Sequence, residues 1–474
     1  MNARLRAVGA WFDQRLPISA AWHSQVKDYP APKNFNVWYF FGSLLLLVLV
    51  MQLASGLFLA IHYQPNPHLA YWSVLRGIMN DTHWGWLIRY IHTTGASAFF
   101  VLLYLHMYRG IMYGSYKKPR ELLWLIGVAI YLLLAAEAFL GYLLPWGQMS
   151  YWGATAVVNF VTAFPVIGHP IAEWLRGSFV VGLPTINRFF VFHIFLIPLL
   201  LLAVVLIHLI ALHQVGSNNP DGIEIHGNVN KSSGWPVDAV PFHPYYTVKD
   251  TLGVAVFLLV FFWFVFFDPH AFGLLIDNLN FSPANALQTP PDIHPLWYFL
   301  PYYAVLRGVP NKLDGVLAFA FVFVMLAGLP LLDRNPIRSI RYRSLLYKLN
   351  ILAMPGSFIW LGTIAFGKAT EGNMVYGLHV AEMFYLTFWL LPYFNRVRPK
   401  WATILWFIVL EAFVWLIDYW MFYTNAHGWD VMLRTDWIPA LYIAAMTLPA
   451  LVVPSLIHDV PKLPERLTAG GLLH

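Results

Sequence analysis

Eight stretches of this chain are apolar for the length of a bilayer. A lipid core needs about 20 apolar residues per spanning helix, and runs of that kind lie at 36–62, 87–112, 122–144, 188–213, 248–268, 314–333, 346–366 and 375–394. Two more candidates, 401–423 and 437–457, are interrupted, the first by Glu411 and Asp418 and the second by Pro439, Pro449 and Pro454. Lipid offers no partner to backbone amides, so runs like these fold as helices. With 59% hydrophobic and 11% charged residues among 474, the chain reads as an all-α polytopic membrane protein with eight to ten transmembrane helices.

Charge orients the helices. If the runs alternate, 21 of the 29 Lys and Arg fall on the side of the N-terminus, so both termini are expected on the cytoplasmic side. The net charge of +6 is explained by these basic loops, and no nucleic-acid partner is expected. Residues 1–33 read as a basic amphipathic segment on the membrane surface, without the apolar core of a signal peptide. The long outer loops, 145–187 and 269–313, are rich in Pro, Gly and aromatics and are expected to be functional surfaces. Cysteine is absent, which removes disulfides, iron–sulfur clusters and thioether-linked haem from this chain and leaves such centres to partners.

The run RYIHTTGASAFFVLLYLHMYRG, residues 89–110, carries His92 and His106 fourteen residues apart. Fourteen helical residues turn about 1400°, some 40° short of four turns, and rise about 21 Å, so the two histidines share a face at two depths. His193 and His208 repeat the pattern in another run, fifteen apart. Both runs descend from the outer side, so His92 and His193 form an outer layer and His106 and His208 an inner one. Gly42 and Gly56 lie in the first run, and Gly127 and Gly141 in the third, each pair again fourteen apart. Glycine permits close approach to the backbone, so each layer offers two histidines and two glycines around a flat group, a haem ligated by imidazole on both faces. Taken singly, an intramembrane histidine can be structural and a glycine pair can serve helix packing. Eight residues in two layers favour the haems. Arg89 and Arg109 are candidate partners for haem propionates, Arg109 being equally placed as a membrane-surface anchor. The fifteen-residue spacing overshoots four turns, and a wide turn or kink near Pro198 is expected to absorb the extra residue.

These residues, with GYLLPWGQMSYWGAT, LHQVGSNNP, FHPYYTVKD and PLWYFLPYYAVLRGVPNK, resemble cytochrome b of the quinol:cytochrome c oxidoreductase (bc1) complex over about residues 20–394. The resemblance implies a di-haem four-helix bundle at 34–214 and a further membrane domain with an outer quinol-site loop at 215–394; residues 395–474 lie beyond it and read as an extension with one or two more transmembrane helices. It implies an outer low-potential and an inner high-potential b haem, a Rieske iron–sulfur protein and cytochrome c1 as partners, a homodimer, and membrane lipid around it. The activity implied is oxidation of quinol at an outer site, with one electron passing through both haems to quinone at an inner site, coupled to proton translocation. Ubiquinol and ubiquinone are the implied substrates, although no residue distinguishes them from menaquinone.

At the inner site the resemblance carries His213 and Asp250 as quinone ligands, with Ser43 and Ser217 nearby. Asp250 could also serve the start of its helix, and Ser217 a turn. At the outer site it carries Phe139, Tyr142 and Gly153 on one side and Pro291 and Tyr298 on the other. One departure stands out. The family usually reads Pro-Glu-Trp-Tyr where this chain has Pro295, Leu296, Trp297 and Tyr298, so a proton-accepting carboxylate is missing. Glu137, an intramembrane acid five residues before Tyr142, is the expected replacement, the alternative being a neutral hydrogen-bonded Glu; Asp292 is a weaker stand-in. A b6-type cytochrome and an unrelated transporter are the competing readings. The first is a shorter subunit with a thioether haem, which this chain cannot hold.

Overall fold

The computed structural model describes residues 3–425, 429–460 and 462–468. Its long helices follow the apolar runs: α1 Phe41–His62, α2 Gly85–Met112, α3 Glu121–Leu143, α4 Leu183–Val215, α5 Phe242–Phe267, α6 Lys312–Leu332, α7 Leu345–Phe366, α8 Glu371–Trp389, α9 Lys400–Asn425 and α10 Trp437–Thr447. Eight of them are long and apolar enough to cross a membrane. The other two, α2 and α10, cross by connectivity. The link between α8 and α9 lies on the same face as the loop after α6, where Asn335 Nδ2 donates to the carbonyls of Phe394 and Asn395. The tail after α10 returns to that face, where Asp459 meets Arg343 at 3.3 Å. α9 therefore leaves this face and α10, prolonged by the turn Pro449–Val452, brings the chain back. Side chains such as Leu57, Ile61, Leu259 and Phe267 are at least 70% exposed, as lipid-facing positions of a multi-pass membrane protein should be.

α1 packs on α2 and α3 on α4, forming the N-terminal four-helix bundle, while α6, α7 and α8 pack with the short helix Leu300–Gly308. The two groups share one large core that runs from Leu44 and Phe100 to Leu361 and Phe388.

The face carrying the loops after α2, α4 and α6 is basic and tied together by ion pairs. Fully buried Asp333 receives Lys117 at 2.9 Å, Arg343 at 3.1 Å and the hydroxyls of Tyr116 and Tyr347 at 2.6 and 3.0 Å. Asp221 is held by Asn34, Arg341, Tyr342 and Thr468, and Asp238 by Lys33 and Arg466. The C-terminal tail is thus woven into the basic face of the other domains.

The N-terminal segment departs from a single surface helix. Only Ala3–Asp13 and Ile18–Trp22 are α-helical, and Pro30–Pro32 pairs antiparallel with Ala239–Pro241 in a two-stranded ribbon. Pro30 and Pro32 cannot continue a helix, and the pairing draws this segment to the α4–α5 loop.

On the opposite face the two long loops lock onto each other. The amide of Gln148 donates to Ser282 O at 3.0 Å, that of Ala284 to Trp146 O at 3.0 Å, and that of Ser150 to Asn280 Oδ1 at 2.8 Å. Gly147 is required here, because a Cβ would fall 2.8 Å from the Cα of Asn280.

Candidate functional site

The histidines and glycines meet as two layers. A Cβ on Gly56 would stand 3.1 Å from His92 Cε1, and one on Gly141 would lie 2.9 Å from His193 Nδ1 and Nε2. At the other depth, Gly42 faces His106 at 3.5 Å and Gly127 faces His208 at 3.4 Å. The layers contain the expected residues, and the group that enters each glycine gap is an imidazole edge.

The His92 and His193 rings face each other with centroids 6.1 Å apart and planes at 89°. A metal bonded at about 2.0 Å to one nitrogen of each of two facing imidazoles puts their centroids a little over about 6 Å apart. The second nitrogens are engaged: His92 Nδ1 meets Ser55 Oγ at 3.0 Å, and His193 Nδ1 meets both the carbonyl and the Oε1 of Glu137 at 3.0 Å. Metal-bound histidines are oriented in this way, through the nitrogen that does not ligate. In the second layer, His106 Nδ1 lies 3.2 Å from Arg109, whose buried Nε has no partner, as is also true of His208 Nδ1. An orphaned guanidinium nitrogen beside the layer suits an anionic group such as a propionate. Arg89 lies on α2 one turn before His92. The residues therefore fit two haems held by His92 with His193 and by His106 with His208.

The wide turn in α4 is present. Phe192–Leu196 is a π-helical turn in which the amide of Ile197 bonds to Phe192 O, immediately before Pro198, which has no amide to donate. One extra residue per π turn brings the fifteen-residue spacing close to fourteen.

The fold and these paired layers have counterparts. The description "Cytochrome b/b6/petB" matches residues 26–216, and "Cytochrome b(C-terminal)/b6/petD" matches 283–386. Cytochrome b of Allochromatium vinosum is 48% identical over 396 residues, covering 82% of this chain and 95% of the relative. The chain belongs to the cytochrome b family. Cytochrome b of Rhodospirillum rubrum is 50% identical over 333 residues, 70% of this chain and 79% of that one. A solved structure titled "Hyperthermophilic respiratory Complex III" superposes with a TM-score of 0.75 at 38% identity, covering 81% of this chain and 98% of its own. Both halves of the cytochrome b pattern lie in one chain, as in the bc1 type.

Among the outer-site residues, Tyr142, Pro295, Leu296 and Trp297 line one narrow cleft together with Asp277, His294 and Phe366. Asn280 Nδ2 donates to the Tyr142 hydroxyl at 3.0 Å, and Gly153 stands against the same ring. Five other expected members do not line it. Glu137 does not line the cleft, because its carboxylate is turned onto His193. Phe139 packs on Phe189. Tyr298 is buried and stacked on Phe100, centroids 4.0 Å apart, and lines an apolar cavity of about 680 Å³ that adjoins the cleft across Leu274, Trp297, Leu300 and Phe366. Pro291 and Asp292 are exposed.

The cleft's own acid–base groups are Asp277 and His294, with Oδ2 and Nε2 3.4 Å apart. Neither was singled out in the sequence. The signal for His294 was its place immediately before Pro295, next to the missing carboxylate.

On the basic face, His213 stacks on Tyr29 with centroids 4.7 Å apart. The Tyr29 hydroxyl accepts from the Ser217 amide at 3.1 Å and lies 3.3 Å from its Oγ. Asp250 neighbours Ser43, whose hydroxyl donates to Phe40 O at 2.9 Å. Tyr29 is thus a member of this site that the sequence did not disclose.

Proposed function

We propose that this cytochrome b is the quinol-oxidising and quinone-reducing subunit of a bacterial bc1 complex. In this reading it lies in the inner membrane with its basic face in the cytoplasm. The double histidine–glycine layer carries the proposal. His92 and His193 hold an outer low-potential b haem, His106 and His208 an inner high-potential one, and Arg89 and Arg109 receive their propionates. Bound there, the two haems supply a one-electron path between an outer quinol and an inner quinone. The Rieske protein and cytochrome c1 take the other electron, within a homodimer.

This chain's residues do the rest. The narrow cleft at Tyr142 and Pro295 adjoins the apolar cavity of about 680 Å³ across Trp297, Leu300 and Phe366, and that cavity supplies flat apolar walls and room for a ubiquinol ring. Asp277 and His294 are within reach of each other in the cleft and take the proton of a quinol hydroxyl, replacing the acid absent at Leu296. Glu137 fixes the orientation of His193 instead of accepting that proton. At the inner site His213 and Asp250, with Ser43, Ser217 and Tyr29, hold a quinone and hand it protons from the basic face.

The test is steady-state reduction of cytochrome c by ubiquinol in the purified complex. A His213→Leu variant that keeps both haems should turn over at least about tenfold more slowly. Unchanged turnover in that variant would overturn the proposal.

A further inference from the structure

A second cluster of metal-ligand side chains lies outside the haem bundle and the quinone sites. His379 and Glu382, three residues apart on α8, share a helix face, and Asp418 of α9 meets them. One donor atom from each lies within 4.8 Å of the others, and all three residues are buried. His379 Nε2 is 3.2 Å from Asp418 Oδ1, while its Nδ1 is 2.7 Å from Thr435 Oγ1.

Glu382 makes this more than a polar patch. It is 6% exposed, and neither of its carboxylate oxygens meets a hydrogen-bond donor. What it faces is another carboxylate, that of Asp418, with Asp436 from the α9–α10 link also near. Two facing carboxylates in a buried site repel each other and leave lone pairs without a donor from the protein. Among the described residues, the basic side chain within the cluster is His379.

The structure assigns His379, Glu382 and Asp418 as the protein ligands of a divalent transition-metal ion, of which Zn²⁺ is the best match. One imidazole and two carboxylates give a neutral set for a 2+ ion and suit zinc's preference for N and O donors. Two ligands bound at about 2.0 Å to a tetrahedral ion stand about 3.3 Å apart, close to the 3.2 Å between His379 Nε2 and Asp418 Oδ1. Thr435 orients His379 through the nitrogen that does not ligate. The ion would clamp α9 to α8. Asp418 lies beyond residue 386, where the C-terminal family match ends, so the clamp would fasten the extension to the family-matched part of the chain.

The test is zinc content per haem in the complex purified without chelator, together with the thermal unfolding midpoint after EDTA and after added Zn²⁺. The expected result is about one zinc per chain, a midpoint that falls with EDTA and recovers with Zn²⁺, and loss of both effects in Glu382→Gln and Asp418→Asn. The spectra of both variants should keep the wild-type haem bands. Zinc content equal in wild type and variants would overturn the assignment. So would a zinc-free wild type whose midpoint ignores Zn²⁺, which would point to protons shared between the two carboxylates.

Discussion

His193 Nδ1 lies 3.0 Å from both the main-chain carbonyl and the side-chain Oε1 of Glu137. The imidazole that faces His92 is therefore oriented by the neighbouring helix, and a carboxylate sits directly behind the proposed haem ligand. Negative charge at that place stabilises the oxidised metal. Glu137→Gln should raise the midpoint potential of the outer haem by on the order of 30–60 mV, up to a tenfold change for a one-electron couple. The inner haem should not move. A redox titration of the two bands checks this, and an unshifted outer midpoint would exclude the role.

The glycines should rank by the room they leave. A Cβ on Gly141 overlaps the His193 ring, whereas one on Gly42 makes an ordinary contact of 3.5 Å with His106. Gly141→Ala should displace His193 and lose the outer haem, with overpacking of about 1–3 kcal/mol. Gly42→Ala should keep both. Haem-to-protein ratios decide, and equal ratios in the two variants would contradict the layer geometry.

Much of this was legible in the sequence, for a physical reason. Lipid enforces helices, and helices turn fixed spacings into shared faces, so His92, His106 and the four glycines were readable as layers. The fifteen-residue gap and Pro198 announced the wide turn, which the structure puts one turn ahead of the proline. Glu137 was misplaced although its helix held the answer. Four residues to Gly141 is a rotation of about 400°, nearly one face, while five to Tyr142 leaves about 140° between them. Asp277, His294 and Tyr29 were hidden because they reach their sites only through loop docking by Asn280 and Gln148 and through the ribbon at Pro30–Pro32.

The cleft pair can be tested directly. Asp277→Asn should slow quinol oxidation by about a hundredfold or more with both haems retained, general-base catalysis usually contributing about 10²–10⁴-fold. Leu296→Glu in that background should recover part of the rate. Stopped-flow reduction by ubiquinol measures both, and full activity in Asp277→Asn would remove the pair from the chemistry.

The basic face should set the acid limit. Burial alone would raise the Asp333 carboxyl, but Lys117, Arg343 and the Tyr116 hydroxyl outweigh it and hold it below its ordinary value. A carboxylate lowered on folding adds stability above its unfolded pKa, about 3.9, and loses it as pH falls through the lower folded value. Asp333→Asn takes the closest counter-charge from buried Lys117 and leaves Arg343 with Asp459 alone, at a cost toward the lower end of about 3–5 kcal/mol. The variant should unfold at lower temperature at neutral pH, and its loss of stability on acidification should be smaller than in the wild type. Thermal unfolding followed from pH 7 to 3 measures both.

The central claim is that His92 with His193 and His106 with His208 hold two haems at two depths. A potentiometric titration of the reduced-minus-oxidised visible spectrum, with haem quantified per chain, tests it most directly. The expected result is two b-type haems per chain titrating at two separate potentials, the first lost in His193→Leu and the second in His208→Leu. A single haem, no haem, or a two-haem spectrum that survives both substitutions would contradict it.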